Sequence, residues 1–550
     1  MADDPRQYRR YGADMTQDDP APFPPSASFS VSPLAPTPTS DPILEAAPRP
    51  RPERAAWPLG AAALAGLAAH LLTVGTGGEL GINLAVWVAL WGSLLLWSAR
   101  RHGQTPTREG MTLLGVAFAF ALTSAVWDAP EQFHFLNVLA LLLALVLGAG
   151  VWRHAGLATT ATGRMTGMVL TGGMRLGYGA VALLERFLWA RLRGTKSGKT
   201  TPWLTGLLLT IPVLLVFGGL LAGADGGFAD LISGLWRWNP ENLIESAFKV
   251  LIWMAFAGGL GYPALMGLSP TLFGRATESP EERGGRLGLI ETGMPLLALG
   301  ALFLVFLFTQ LPYFLSGITL PDGFTFAEYV RRGFSELLWV AFLTLGLLLA
   351  AYGLTRPEVR AQTTYRLLNL AVLLPLALVL VSAANRWRLY TLAYGLSEIR
   401  VLGAALLVWL VLALAWLGVC LWRGTLRRFA YPALLAGFGT LLIATLINPG
   451  ALIARVNVGR ELTAVTNVTR STPQQANVWA LIGLGADAVP TVVANLNTLS
   501  RDCPPTERNC TTSRAFVVQR LKEEFGIARD PRVWNLSQER ARRAVLELQP

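Results

Sequence analysis

Four residues recur at every fourth position between Ser382 and Arg400: Arg386, Tyr390, Tyr394 and Glu398. On an α-helix that spacing forms one slowly drifting stripe of cation, phenol and carboxylate. Asn385, Arg388 and Arg400 flank it. Guanidinium groups beside phenol hydroxyls suit an anion such as phosphate, because the Arg fork donates paired N–H bonds to it. A second polar run lies between Gln310 and Val340, with Gln310, Tyr313, a Pro321-Asp322-Gly323 turn, then Glu328, Tyr329, Arg331, Arg332 and Glu336. In a helix Arg332 stands four residues from both Glu328 and Glu336, so one cation can pair with either carboxylate. Each run also has a plainer role open to it. The first serves as an interfacial aromatic and Arg anchor with a turn at Gly395. The second serves as a charge ladder at a helix entry, worth about 0.3 kcal/mol per pair.

The elements that must carry these runs are set by composition. The 550 residues are 52% hydrophobic and 15% charged, with a net charge of +11, whereas soluble domains are about a quarter charged. Apolar segments near 57–75, 79–98, 110–127, 134–151, 203–222, 243–268, 287–309, 335–354, 366–384, 399–422 and 429–447 match a hydrocarbon layer of about 30 Å crossed at 1.5 Å per helical residue. Lipid admits only structures that satisfy their own backbone polar groups. The expectation is therefore an all-α, polytopic transmembrane bundle of about eleven spans.

Charge orients it. The loops 99–109, 152–202, 270–286, 355–366 and 423–428 hold twenty Lys and Arg, which places them, and the N-terminus, on the cytoplasmic side of the membrane. Both polar runs then fall at the opposite boundary. A central Arg costs about 2.5–3.5 kcal/mol to insert, so Arg386 calls for a partner: Glu328, Glu336 or Glu398 within the bundle, or lipid phosphate. Within the spans, Glu245 and Lys249 stand four apart and can neutralise each other, while Glu291 lies at the start of its span.

Composition divides the chain into a Pro-rich tail at 1–56, with twelve prolines and no apolar run, an N-terminal four-helix region at 57–151, a basic linker at 152–202, a seven-helix core at 203–447 and an extracytoplasmic domain at 448–550. The tail is expected to be disordered. In the linker, Arg175, Arg186, Arg191 and Arg193 alternate with Leu183, Leu184, Phe187 and Leu188, as an interfacial helix on anionic lipid or an ordinary basic linker would. The last domain is expected to be helical at 451–463, 475–483, 486–499, 512–525 and 537–548. Asp487 precedes an apolar run there, as a helix N-terminal charge does. Cys503 and Cys510 enclose a short Pro-containing loop on the oxidising side, so a disulfide between them is expected, with two unpaired thiols as the alternative.

Several chemistries fail. The basic excess sits in orienting loops with no nucleic-acid-reading motif, so nucleic acid is not expected as a partner. GTKSGKT at 194–200 lacks the first glycine of a phosphate loop and the strand before it. His70, His102, His134 and His154 are dispersed, so no metal site follows, and no cofactor motif or nucleophile elbow occurs.

Three stretches carry a family likeness. Phe303 to Glu336, with Gln310, Tyr313, Phe314 and Glu328-Tyr329-x-Arg331-Arg332-Gly333-Phe334, resembles the bacterial membrane family catalogued as domain of unknown function 4173, related to family 4153. Arg386-x-x-Leu389-Tyr390-x-x-x-Tyr394-Gly395-Leu396-x-x-x-Arg400 is similar to its second recurring stretch. Asn448-Pro449 to Arg455-x-Asn457, followed by Gly485-Ala486-Asp487-Ala488-Val489-Pro490, is similar to its third. The likeness spans about residues 200–500 and implies a multi-pass membrane protein without supplying an activity. This chain departs from it at Ser397-Glu398, where a Thr-containing turn is expected.

Two functions follow as expectations. One is binding or transport of an anionic lipid or envelope precursor at an outer-leaflet site lined by Gln310, Tyr313, Glu328, Tyr329, Arg331, Arg332, Glu336, Asn385, Arg386, Arg388, Tyr390, Tyr394, Glu398 and Arg400. The other is a signalling or assembly component that meets protein partners through residues 1–56 and 448–550. A membrane transferase is the weakest, since no metal or nucleotide motif supports it.

Overall fold

The computed structural model describes residues 52–101, 103, 105–152, 156–159, 165–170, 172–173, 240–266, 285–315, 326–462, 478–500 and 512–548. At 52–56, 240–244, 262–266, 309–315, 326–333, 393 and 460–462 the description is of helical backbone alone. The Pro-rich tail, most of the basic linker, the expected span at 203–222 and both Cys503 and Cys510 lie outside the described residues. Among the described residues the regular structure is helical, apart from one isolated bridge between Leu287 and Thr355.

The membrane region contains α1 (Pro52–Thr73), α2 (Ile82–Arg101), α3 (Arg108–Val126), α4 (Glu131–Gly150), α5 (Pro240–Met266), α6 (Leu289–Leu315), α7 (Phe326–Leu354), α8 (Thr363–Tyr394), α9 (Glu398–Arg423) and α10 (Ala430–Leu446). Among the described residues, eight stretches are long and apolar enough to cross a membrane: those in α2, α3, α4, α6, α7, α8 and α9, and Leu426–Leu446. The apolar part of α1, Trp57–Thr73, is shorter. The expected span at 243–268 overlaps α5, whose Glu245 and Lys249 pair at 2.5 Å as their spacing allows. The protein is a multi-pass membrane protein.

Two apolar cores hold the bundle. The first joins α1 to α5 and takes in α10, with Trp91, Leu113, Phe120 and Leu141 buried at its centre. Small residues allow close approach: a Cβ on Gly66 of α1 would lie 2.6 Å from the Met254 backbone of α5. Such contacts drive helix association where lipid is as apolar as the side chains. The second core is α6, α7, α8 and α9, around Leu348, Leu376, Leu410 and Leu417. Away from it α6 turns Ile290, Met294, Leu302 and Phe308 outward, as a lipid-facing stripe must.

All four helices of that second group, the 26-residue α9 included, are longer than the hydrocarbon layer is thick. α8 has 32 residues, α7 has 29 and α6 has 27, so α8 alone is about 48 Å long against about 30 Å of hydrocarbon. The end of α6 and the start of α7 carry the second polar run. Both pack against α8, and chain direction brings these termini to the end where α8 finishes.

Residues 449–548 form a helical domain: α11 (Pro449–Leu462), α12 (Val478–Ile482), α13 (Val489–Ala494), α14 (Leu496–Leu499), α15 (Arg514–Phe525) and α16 (Leu536–Leu546). Its core, with Val489, Val492, Val517 and Leu521, continues into the bundle through Phe133, Val401 and Ala444. Ser513 caps α15 by accepting from the Phe516 N–H, and Asn535 caps α16 by accepting from Ser537 and Gln538.

Candidate functional site

The stripe on α8 is real but one member short. Arg386, Tyr390 and Tyr394 occupy successive turns of the helix, and the Tyr390 and Tyr394 rings meet edge to face at 5.4 Å. α8 then stops at Gly395, whose φ of 76° and ψ of −167° lie in a region open essentially to glycine. Glu398 consequently begins α9 instead of continuing the stripe, and its carboxylate accepts from the Gln132 backbone N–H at the start of α4. The four-residue period ran across a helix break, which periodicity cannot detect. Glu398 is thus turned toward α4.

Arg400 returns to close the break. Its guanidinium donates to the Tyr394 carbonyl at 2.9 Å and the Gly395 carbonyl at 2.7 Å, and lies 4.1 Å over the Tyr390 ring. It thereby satisfies carbonyls that a helix end leaves open, while the Trp387 indole N–H donates to the Arg400 carbonyl at 2.7 Å. These contacts give Arg400 a structural task. Arg388, Asn385 and Tyr394 are exposed and Arg386 half-buried, all on the last three turns of α8.

The second run is placed by backbone. Gln310 and Tyr313 lie in the last turns of α6, and Glu328, Tyr329, Arg331 and Arg332 in the first turns of α7; their side chains lie outside the described residues. Glu336 is exposed on α7. Topology thus brings all three groups of candidates to one end of adjacent helices. The other in-span carboxylate, Glu291, accepts from the Gly288 N–H at 2.5 Å and simply caps its own helix.

A polar joint that the sequence did not single out sits beside this end. The Leu396 N–H donates to the Asn457 side-chain oxygen at 2.8 Å, and the Asn457 amide returns a bond to the Leu396 carbonyl at 2.9 Å. Asn448, at φ 59°, caps α11 by accepting from Ala451 and donates to Asp487 Oδ1 at 2.9 Å. Ser537 donates to the same oxygen. Gly485, at φ 89°, lets the chain pass so close to Asp128 that a Cβ there would meet Oδ2 at 3.1 Å; that oxygen accepts from the Ala486 N–H at 2.9 Å. Asn535 donates to the Ser124 and Trp127 carbonyls at 2.7 and 2.9 Å.

Asp487 stands two residues before α13, as its position suggested, but is buried there. It is 5% exposed. Burial pushes its carboxyl up to about 6, opposed by the Ser537 and Asn448 hydrogen bonds and reinforced by the Asp128 charge. The following helix, α13, has six residues, too few for a substantial dipole to hold the carboxylate. Among the described residues no cluster of three metal-ligating side chains occurs. A narrow, water-sized cleft lined by Thr123, Trp127, His134 and Asn137 opens one layer away.

Two of the stretches that carry the family likeness, at 386–400 and 448–490, meet in this joint through Leu396 and Asn457. Compared with known proteins, residues 113–495 match the family model described as Domain of unknown function (DUF4153). No curated protein and no solved structure matches significantly.

Proposed function

The chain belongs to the DUF4153 family, and from that premise we propose that it is an inner-membrane protein of a bacterium that binds or transports an anionic lipid or envelope precursor at the outer leaflet. The motif-level likeness to the related family 4173 belongs to the same proposal. What supports it is the length of α8, whose last three turns carry Arg386, Arg388 and Tyr394 beside the end of α6 and the start of α7, at what this reading takes as headgroup height. An Arg there avoids most of the insertion cost and meets phosphate directly. Orientation is supported by the far end of the bundle, where Arg356, Arg360, Arg366, Arg427 and Arg428 cluster at helix ends as cytoplasmic loops do. On this reading the C-terminal domain is extracytoplasmic.

The test is native mass spectrometry of the full chain released from nanodiscs containing phosphatidylglycerol, comparing wild type with Arg386→Ala/Arg388→Ala and checking that both are folded. A hydrogen bond to a charged group contributes about 1.5–3 kcal/mol. Retained phospholipid should thus fall about tenfold or more in the double variant. Equal retention by both proteins, or none by wild type, would overturn the proposal. A second role, in signalling or assembly through the C-terminal domain, is favoured by one observation: Phe516, Ile527 and Trp534 are exposed on it. It requires partner crosslinks that disappear when residues 450–550 are deleted.

A further inference from the structure

We propose that Asp487 and Asp128 form a proton-operated latch that fastens the C-terminal domain to the outer end of the bundle. The geometry is a carboxylate pair at a seam. Asp128 belongs to the turn between α3 and α4, and Asp487 to the turn between α12 and α13; four separate stretches of chain converge on the pair. Asp128 accepts from the Ala486 N–H at 2.9 Å and the Gln538 amide at 3.3 Å. Asp487 accepts from Asn448 and Ser537 through Oδ1, and the Asp128 backbone N–H also favours its ionised form, while burial of the carboxyl opposes it. Two ionised carboxylates close together repel, and the buried one bears the larger cost.

The surrounding charges do not relieve it. From the α3–α4 turn the facing charge is Asp128; from α10 and α11 it is the neutral Asn448; from α16 come the neutral Asn535, Ser537 and Gln538. Behind Asp128 stands His134 of α4. Arg540 lies 6.0 Å over the Trp127 ring, and Glu539 is engaged by Arg542 at 2.9 Å and Arg543 at 2.8 Å. Asp530 is bonded to Arg532, which also donates to the Leu71 carbonyl at 2.7 Å. These hydrogen bonds hold Glu539 and Asp530 down to about 2, so both stay ionised above pH 4 and leave that range to the latch.

The direction follows from linkage. The docked state binds the Asp487 proton more tightly than the undocked state, where the group returns to about 3.8. Docking is strongest below pH 4 and weakens as pH rises to about 6, beyond which it is level. Two pH units of difference correspond to about a 100-fold change in the docking equilibrium.

Hydrogen exchange with mass spectrometry on the full chain in nanodiscs, corrected for intrinsic exchange rates between pH 4.5 and 7.5, tests it. Amides at 484–490 and 535–540 should lose protection by tens of fold as pH rises. Asp487→Asn, which copies the protonated carboxyl, should hold the protected level at every pH. Asp128→Asn should keep a pH profile but move its midpoint down. A flat wild-type profile overturns the latch, as does a profile that persists unchanged in Asp487→Asn and disappears in His134→Gln. Neither result bears on lipid retention by Arg386 and Arg388.

Discussion

At the scale of single residues, some of the chemistry-bearing positions have a structural task. Arg400 closes a helix end and Asn457 reads the Leu396 backbone in both directions. Replacing Asn457 by Ala removes two hydrogen bonds and leaves the Leu396 N–H and carbonyl unpaired, so it should destabilise the protein by about 1–3 kcal/mol in thermal unfolding in detergent. An unchanged transition would mean that the joint is not holding. Arg386, Arg388 and Tyr394 were legible because their types and spacing announce themselves along one helix. Asp128 was not, since its partners Ala486 and Gln538 lie 358 and 410 residues away. Asn448-Pro449 offered a faint signal, an Asn able to adopt a left-handed conformation immediately before a residue suited to open a helix.

At the scale of elements, hydrophobic length gave the helices and missed where they break or overrun. Expected spans at 110–127 and 399–422 differ by at most two residues at either end from α3 and α9. By contrast 366–384 became the 32-residue α8, because a hydropathy window stops at the first charges whereas backbone hydrogen bonding continues past them to Gly395. Arg386 and Arg388 lie on that added length. Gly395→Ala should cost about 1–3 kcal/mol, because an L side chain must hold a backbone conformation reserved for glycine. It should also extend or disorder the end of α8, seen as changed exchange protection at 390–397. Unaltered stability and protection would contradict the assigned turn. The domain helices at 451–463 and 512–525 were legible from Pro and Gly punctuation, and α11 and α15 fall close to them.

At the scale of the whole molecule, packing is what no local pattern revealed: that α5 lies on α1, that α10 joins the first core, and that the C-terminal domain shares apolar core residues with the bundle. Long-range side-chain complementarity decides these, and a single sequence does not display it. Their consequence is one polar end, where overshooting helices and a docked domain stand side by side. The most direct measurement is to photocrosslink a phosphatidylglycerol analogue with a reactive headgroup to the full chain in nanodiscs and map the modified peptides. Adducts concentrated at 385–394, with the adjoining ends of α6 and α7, and lost in Arg386→Ala/Arg388→Ala are the predicted result. Adducts spread evenly around the bundle, or unchanged in that variant, would contradict the assignment of this end as a lipid site.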